Sequence, residues 1–522
     1  MKKTVITCSV LFIIALVFRL TGISFHSLWF DETSTAFVVS QPASNVIKTV
    51  YTVESTPPIF FFLEKMFIGV FHLRISEFSL RFLPVVFGAL SCVLFFFLFK
   101  EIPNKKIEYF AFFLIVTSNF HITASQNARV YSLLFLMVLS TLLLTLQWWK
   151  KPDTQRSLML FLSAALTVQT HYFAVFWIIA LFITIFIVKP KDKQLGHYLS
   201  LWAAAGFVSF GPLVPLLLAQ IHYEIEPIIR GYLMAKWAPG IIYSPIKVLI
   251  GAYLSKISAF RDISIIDLFG IVPILLLIAI VAFSFIRRMR QNDVSDAEKI
   301  ITFSLIGSFV LHIVIGWKVP TIHPQYMAYF LLLLFGCIIA NIPSRHGFRI
   351  SVFVFLIAFN AIAHFKYYAS EKSYHEPWRE IAEAVDQCLV KNGNGSDPII
   401  SEYMICFPLA FYLKNKSAPL YQNYTPFAPS LEINFARLNV FGSVFFTDLF
   451  NFNYFPIEKR ASFLDICAEH KQGFFIDKRD TPLETLPTRL NQTYSGSVDF
   501  ALLKTINTNN GAIAILKWKT HQ

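Results

Sequence analysis

The sequence predicts an all-α polytopic membrane domain followed by a small C-terminal extracytoplasmic α/β domain. Of the 522 residues, 55% are hydrophobic and only 15% are charged, whereas a typical soluble protein carries about 25% charged residues. A hydrophobic excess over this length cannot be buried in a water-soluble core, because such cores stop growing at about 250–300 residues. Phenylalanine is especially abundant, with 56 residues. These observations place most of the chain in a bilayer.

Apolar segments long enough to cross the ~30 Å hydrocarbon layer number about eleven. They are predicted at 4–22, 78–99, 107–120, 130–149, 157–170, 173–188, 198–220, 265–286, 300–316, 326–342 and 349–367. The first apolar run lacks a small-residue cleavage site and a polar continuation, so it is predicted to be a retained helix rather than a removed signal peptide.

The charge distribution predicts how these helices are oriented. The net charge of +13 comes from residues 1–369, at +14, whereas residues 370–522 carry −1. The short loops on one side of the predicted helices are basic, which marks that side as cytoplasmic by the positive-inside rule. Their basic residues are Lys2, Lys3, Lys100, Lys105, Lys106, Lys150, Lys151, Arg156, Lys189, Lys191, Lys193, Arg287, Arg288, Arg290, Lys299, Arg345 and Arg349. The N-terminus is then cytoplasmic, the tail is external, and no nucleic-acid partner is predicted.

Two domains and two long external loops follow from this topology. The predicted divisions are a membrane domain at 1–368, its external loops at about 23–77 and 221–264, and an external domain at 369–522. In the first loop, TPPIFFFLEKMFIGVF is bounded by Pro57-Pro58 and interrupted by Glu64-Lys65. This pattern favours a helix lying along the membrane surface over a further span.

The tail alternates between helix-like and strand-like segments. Helices are predicted at 376–391 and 456–470, and strands at PIIS, GFFIDK, 497–506 and 512–519. Helical spacing of apolar residues supports the first helix, and the turn-forming NGNGSDP sequence separates it from the first strand. The alternation is typical of a small α/β domain.

Two adjacent carboxylates, Asp31 and Glu32, are the most informative polar feature. They follow Trp29 and Phe30 just beyond the outer end of the first predicted span. A carboxylate beside apolar walls has its pKa moved toward the working range, which suits a general base that deprotonates an acceptor hydroxyl. The alternative is structural, because an acidic residue in the first turn of a helix stabilises its N-terminus.

Basic and histidine side chains also cluster on the predicted outer side. Arg74, Arg81 and Arg129 have the chemistry to bind a phosphate bidentately, although arginines at helix ends also reach toward lipid headgroups. The external histidines His121, His171 and His323 are candidates for phosphate or metal binding, and for purely structural roles. No His/Asp/Glu set has metal-ligand spacing, so no metal site or certain cofactor is predicted, and dependence on a divalent metal is left open.

Several motifs together resemble a known superfamily. They are LWFDETSTAF, STPPIFFFLEKMF followed by SEFSLRFLPVVFGAL, SNFHITASQNARVYSLL, THYF, and YHEPWREIAEAV at the start of the tail. In this order they resemble the polytopic GT-C glycosyltransferases, and within them the protein O-mannosyltransferase and lipid A aminoarabinose transferase relatives (glycosyltransferase 39/83 type). The similarity runs over about residues 20–190 and returns weakly near 316–342.

The resemblance implies a polyprenyl phosphate sugar donor and transfer on the extracytoplasmic face. It assigns the catalytic base to Asp31, with Glu32 as an orienting or second carboxylate, and the donor phosphate to Arg81 and Arg129. The supporting candidates are His121, His171, His323 and Tyr131. The expected partners are this donor, an envelope lipid, glycan or protein acceptor, and the bilayer.

The chain departs from the family pattern at two positions. Asn127 stands where relatives often have a glutamate, and Gln325 stands where they often have an arginine before a tyrosine. His323 or Lys318 are candidates to compensate. The differences leave room for retuned activity or for an inactive member.

The sequence therefore predicts an inverting glycosyltransferase of the cell membrane, specifically a bacterial inner membrane. Two alternatives remain. A transporter or flippase for a lipid-linked glycan would require polar residues at the bilayer centre, where few charges occur. A non-catalytic envelope assembly protein that retains the GT-C fold would not need the carboxylate.

Overall fold

The computed structural model consists of two compact units. The first contains residues 1–23 and 42–368, and the second contains residues 24–41 and 369–522. The structure describes residues 2–54, 56–102, 107–188, 206, 211, 214, 265–316, 328–343, 346–368, 377–393, 397–413, 420–423, 457–458, 471–479, 486–493, 498–508 and 511–520.

The described part of the first unit is helical. Its helices are α1 (Lys2–Leu20), α3 (Val46–Val53), α4 (Ile59–Val70), α5 (Glu77–Lys100), α6 (Glu108–Thr117), α7 (Asn119–Ser125), α8 (Tyr131–Lys150), α9 (Thr154–Thr170), α10 (Ala174–Val188), α11 (Ile265–Arg290), α12 (Asp296–Gly316), α13 (Ala328–Asn341) and α14 (His346–Tyr368). Helix α5 packs against α1 and α8, and α12 packs against α10 and α13.

Among the described residues, three helices are long and apolar enough to cross a membrane. They lie at Glu77–Lys100, Tyr131–Lys150 and Asp296–Val314. Shorter apolar helices lie at Thr4–Leu20, Glu108–Thr117, Ala174–Val188, Leu332–Asn341 and Gly347–Ile362. The predicted span at 198–220 and the loop at 221–264 fall almost entirely outside the described residues. The count of about eleven spans therefore stays a prediction.

The segment predicted as one span at 107–120 is divided into two helices. Helix α6 ends at Thr117 and α7 begins at Asn119, with Ser118 between them in an extended conformation (ψ 114°). One extended residue interrupts the regular helical conformation, so the two helices are separate elements. The apolar composition of this segment gave no sign of the break.

Side-chain capping fixes the start of α5, the helix that carries Arg81. The Ser76 hydroxyl accepts a hydrogen bond from the Ser79 N–H at 3.2 Å, and the Ser79 hydroxyl accepts from the Ser76 N–H at 2.9 Å. These bonds satisfy backbone donors that a helix start otherwise leaves unpaired.

Ion pairs occur at the helix ends that the sequence predicts to be cytoplasmic. Lys150 lies 2.5 Å from Glu101, and the Arg288 guanidinium contacts both carboxylate oxygens of Glu298 at 2.8 and 3.0 Å. Asp153 caps α9 by accepting from the Arg156 N–H at 2.8 Å. These charges are therefore paired within or between neighbouring helix ends.

The second unit combines helices with one six-stranded sheet. Its described elements are α2 (Phe30–Ser40), α15 (Trp378–Asn392), β1 (Ile399–Glu402), α16 (Tyr403–Tyr412), β2 (Leu420–Asn423), β3 (Ile457–Glu458), β4 (Gln472–Arg479), α17 (Leu486–Thr493), β5 (Val498–Thr508) and β6 (Gly511–Thr520). The strand order is β3-β2-β1-β4-β6-β5. The first four of these strands are parallel, and β6 pairs antiparallel with β4 and β5.

The sheet contains the strands that the sequence predicts at PIIS, GFFIDK, 497–506 and 512–519. Alternate residues of these strands form a core with α17, including Ile400, Phe475, Leu490, Leu516 and Trp518. The helix expected at 456–470 is wrong at its start, where 457–458 form strand β3 beside β2. Edge pairing with β2 determines the structure of these two residues, and periodicity within the segment cannot reveal it.

Candidate functional site

The predicted carboxylate pair lies in the first turn of α2, in the second unit. The Glu32 carboxylate accepts a hydrogen bond from the Trp29 N–H at 3.3 Å, and Glu32 is 1% exposed. Asp31, by contrast, is half-buried. The structural interpretation therefore applies to Glu32, which caps the helix. Asp31 is the more exposed of the two carboxylates.

In the first unit, Arg129 forms a buried ion pair with a residue that the sequence analysis did not single out. Its Nη1 lies 2.8 Å from Oε1 of Glu54, and both residues are at most 5% exposed. The guanidinium also lies 5.9 Å from the ring centroid of Phe61, in a cation–π contact. Arg129 is thus held in place by Glu54 and Phe61.

Glu54 supplies an acidic partner in a region where the sequence lacks the family's usual one at Asn127. It follows the last residue of α3 and precedes the STPP motif. The sequence does offer one sign of Glu54: it is an isolated acidic residue beside that motif, in an otherwise apolar external segment. Spatial pairing with Arg129, which lies 75 residues further along the chain, could not be read from spacing.

Arg81 holds the turn that follows α1. The chain leaves α1 through Gly22, whose φ of +72° favours glycine. The Arg81 Nη1 then donates to the carbonyl oxygen of Ile23 at 2.9 Å, and Arg81 is 3% exposed. The structural contact accounts for part of the side chain's hydrogen-bonding capacity, since a guanidinium has five N–H donors.

His171 lies between α9 and α10 and is close enough to Arg129 to feel its charge. The pKa of His171 is lowered to about 3, chiefly by burial and then by the neighbouring His312 and Arg129. The ring is therefore neutral near pH 7, and its Nδ1 accepts from the Phe173 N–H at 3.3 Å. His171 cannot supply a positive charge to a phosphate at that pH.

Of the other residues singled out from the sequence, the structure describes Tyr131 but not the three near residue 320. Tyr131 is buried at the start of α8, within two residues of Arg129. His323, Lys318 and Gln325 lie outside the described residues. The expected roles of these last three stay predictions.

His121 is enclosed by polar side chains of neighbouring helices. It is fully buried, its Nδ1 lies 2.8 Å from Nη2 of Arg19, and its Nε2 lies 2.9 Å from the Ser91 hydroxyl. Arg19 also donates to the carbonyl oxygen of Ala15 at 3.0 Å. These contacts favour the structural interpretation of His121, and they identify Arg19 as a buried cation that the sequence analysis missed.

A second buried carboxylate lies on α4, one turn from Phe61. Glu64 is fully buried, and within the described part of the chain neither of its carboxylate oxygens has a hydrogen-bond partner. Burial raises the pKa of Glu64 well above its usual value, which favours the protonated acid. The Glu64-Lys65 pair predicted an interfacial helix, and the structure turns Glu64 inward.

Among the residues that the structure describes, no three His, Cys, Asp or Glu side chains are grouped so as to hold a metal ion. Dependence on a divalent metal stays open, as it was from the sequence.

The chain was compared with known families and structures. Residues 55–218 match the family model described as dolichyl-phosphate-mannose-protein mannosyltransferase. No curated protein sequence matches the chain. Among solved structures, the Archaeoglobus fulgidus oligosaccharyltransferase in complex with zinc and sulfate is 14% identical at a TM-score of 0.51, over 93% of this chain and 69% of that one.

Two further structural relatives were solved with polyprenyl phosphates. The archaeal oligosaccharyltransferase AglB from Archaeoglobus fulgidus, in complex with an inhibitory peptide and a dolichol-phosphate, is 13% identical at a TM-score of 0.51, over 97% of this chain and 74% of that one. ArnT from Cupriavidus metallidurans, bound to undecaprenyl phosphate, is 12% identical at a TM-score of 0.47, over 97% of each chain.

These comparisons confirm the resemblance to the GT-C glycosyltransferases. The family-model match covers the region with Arg81, Arg129 and the STPP motif. The TM-scores of 0.51 show a fold shared with the oligosaccharyltransferases. At identities of 13–14% the structural likeness concerns the fold, and activity has to be argued from the residues.

Proposed function

We propose that the protein is a membrane glycosyltransferase that moves a sugar from a polyprenyl phosphate-linked donor to a cell-envelope acceptor on the extracytoplasmic face. The match of residues 55–218 to a dolichyl-phosphate-mannose-dependent family is the observation that carries this proposal. The dolichol-phosphate bound to the AglB relative supports the same class of donor. The acceptor class is a lipid, glycan or protein of the envelope.

The proposed reaction is a single displacement that inverts the anomeric carbon. Asp31 accepts the proton of an acceptor hydroxyl while that oxygen forms a bond to the anomeric carbon. The bond from this carbon to the phosphate oxygen breaks, and the lipid phosphate leaves with the electron pair. Arg81 and Arg129 stabilise its negative charge, since guanidinium groups bind phosphate through charge-assisted hydrogen bonds.

The different surroundings of the two carboxylates support Asp31 as the base. Glu32 is buried and accepts from the Trp29 N–H, so it serves the helix. Asp31 is half-buried in the same turn. The buried ion pair with Glu54 fixes the Arg129 guanidinium in advance. Such pre-organisation is what transition-state stabilisation requires.

We also propose a location in the cell membrane, specifically a bacterial inner membrane, with the N-terminus cytoplasmic and residues 369–522 external. The three long apolar helices support insertion in a membrane. The basic loops and their ion pairs support the orientation, because such loops are retained on the cytoplasmic side.

The test is sugar transfer in proteoliposomes. Purified protein is supplied with a panel of labelled polyprenyl phosphate sugars and a crude envelope extract, and loss of sugar from the donor is followed. Turnover of one donor by the wild type, with a loss of about a thousandfold in Asp31→Asn, is expected for a general base. The matched control is Asp499→Asn, which removes an exposed carboxylate on β5 and should keep full turnover.

Other outcomes would overturn the proposal. Equal turnover by wild type and Asp31→Asn would remove Asp31 from the mechanism. Movement of an intact lipid-linked sugar across the bilayer without transfer would identify a transporter. No transfer and no transport by the wild type with any donor would leave the non-catalytic assembly role.

A further inference from the structure

The segment that carries Asp31 belongs to the same compact unit as the C-terminal domain. Residues 24–41 group with 369–522, although over 300 residues of the chain separate them, whereas the flanking residues 1–23 and 42–368 form the other unit. An isolated helix as short as α2, with 11 residues, is marginal in water. Its stability must come from tertiary contacts, and it packs against α16 of the second unit.

A single arginine of the C-terminal domain holds the entry to this segment. Arg379, in the first turn of α15, donates through Nη2 to the carbonyl oxygen of Ser24 at 2.7 Å and through Nη1 to that of Phe25 at 3.2 Å. Nη2 also lies 3.5 Å from the carbonyl oxygen of His26. One planar, fixed set of donors therefore constrains three consecutive peptide groups.

Contacts from α16 lie on both sides of Asp31 in the sequence. The Leu28 N–H donates to the Tyr412 hydroxyl at 2.6 Å. The ring of Phe407 packs edge-on against Phe30 at 5.6 Å between centroids and against Phe37 at 5.1 Å. A hydrogen bond at Leu28 thus holds the chain just before Asp31. Aromatic packing holds Phe30 and Phe37, which lie before and after Asp31 in the sequence.

We propose that Arg379, Tyr412 and Phe407 are positioning residues that fix α2 so that the Asp31 carboxylate meets the acceptor hydroxyl in a productive geometry. The inference rests on the proposed role of Asp31. None of the three residues needs to touch substrate. Their effect on rate follows from orientation, since a displacement of about 1 Å at a reacting group can cost 10²-fold in rate.

The test combines kinetics with amide hydrogen exchange of the full-length protein in proteoliposomes. The variants are Arg379→Gln and Tyr412→Phe, the second of which removes one hydroxyl and keeps the ring. Each should lower kcat by about tenfold and leave the KM for the donor within about twofold, because the donor's phosphate ligands are unchanged. Exchange in residues 28–40 should accelerate, while exchange in the β5–β6 hairpin should not.

The matched control is Asn491→Ala, which weakens the same unit without touching residues 24–41. Asn491 Oδ1 accepts from the Phe500 N–H at 2.6 Å, and its Nδ2 donates to the Phe500 carbonyl oxygen at 3.3 Å. This variant should accelerate exchange around β5 and leave kcat and exchange in 28–40 unchanged. Arg379→Lys, which keeps a charge but not the planar donors, should recover only part of the rate.

The outcomes separate this inference from the proposed function. If Asp31→Asn abolishes transfer but Arg379→Gln and Tyr412→Phe keep full kcat, the positioning role is wrong and the function stands. An equal loss of kcat in Asn491→Ala would show a general effect of domain stability and would also overturn it. If Asp31→Asn keeps full transfer, the proposed function and the positioning role both fail.

Discussion

Arg129 and Glu54 show how burial determines the energy of an ion pair. Their atoms lie 2.8 Å apart with side chains 6% and 3% exposed, whereas Lys150 and Glu101 lie 2.5 Å apart with side chains 55% and 25% exposed. Breaking a buried pair leaves an uncompensated charge and costs about 3–5 kcal/mol. An exposed pair contributes about 0–1 kcal/mol, because water screens and solvates both charges.

We therefore predict strong coupling in a double-mutant cycle on the buried pair. Glu54→Gln and Arg129→Met should each lower the free energy of unfolding by about 3–5 kcal/mol. The double variant should lose less than the sum, since neither charge remains unpaired. Chemical denaturation in mixed micelles measures the three values, with Lys150→Met as the exposed control at under about 1 kcal/mol. Additive losses would contradict the pairing.

Burial of His171, the histidine near Arg129, predicts that the stability of the protein depends on pH. Its pKa in the folded protein is about 3, against an ordinary value of 6.5. Between these values the unfolded chain binds a proton that the folded chain does not, so stability falls as the pH drops from about 6.5 toward 3. The contribution is at most about 1.4 kcal/mol per pH unit.

His171→Asn should remove this part of the acid sensitivity, since asparagine keeps an acceptor for the Phe173 N–H and does not titrate. The measurement is the unfolding temperature from pH 7 to pH 4 for both proteins. The exposed His72 provides the control substitution, His72→Asn. Parallel pH curves for wild type and His171→Asn would show that the buried ring does not resist protonation.

Strand β4 depends on a glycine with no room for a side chain. A Cβ at Gly473 would lie 2.6 Å from the Pro398 carbonyl oxygen and 2.6 Å from Cζ2 of Trp518. Both neighbours belong to the sheet region and cannot retreat without breaking its packing. Overpacking of this kind costs about 1–3 kcal/mol.

Gly473→Ala should accordingly lower the unfolding temperature of the second unit. Gly347→Ala is the matched control, because nothing lies within 4 Å of a Cβ added there and alanine favours a helix over glycine. Hydrogen exchange in β4 and β6 gives the local readout. Unchanged exchange in both strands would mean that the sheet adjusts without cost.

The elements also show what a sequence pattern can and cannot predict. Long apolar runs predicted α5 and α8 to within one residue at either end, because burial in lipid and helix length are both local properties of the sequence. The break at Ser118 and strand β3 were missed, since each depends on the path or the pairing of the chain rather than on its own periodicity.

The same distinction between local and tertiary information applies to the candidate site. The sequence identified Asp31, Glu32, Arg81 and Arg129 from their types and from motifs that resemble a family. It did not pair Arg129 with Glu54, nor separate the capping role of the buried Glu32 from the more exposed position of Asp31. Pairings between distant parts of the chain depend on tertiary structure, which a single sequence does not reveal.

The grouping of residues 24–41 with the C-terminal unit limits how segments can be exchanged between related proteins. A hybrid that takes residues 369–522 from one relative and the rest from another would cut through the contacts of Arg379, Phe407 and Tyr412. The exchangeable module is discontinuous: both segments must be transplanted together. Natural recombination at a single crossover would face the same penalty, so we expect the two segments to be inherited as one.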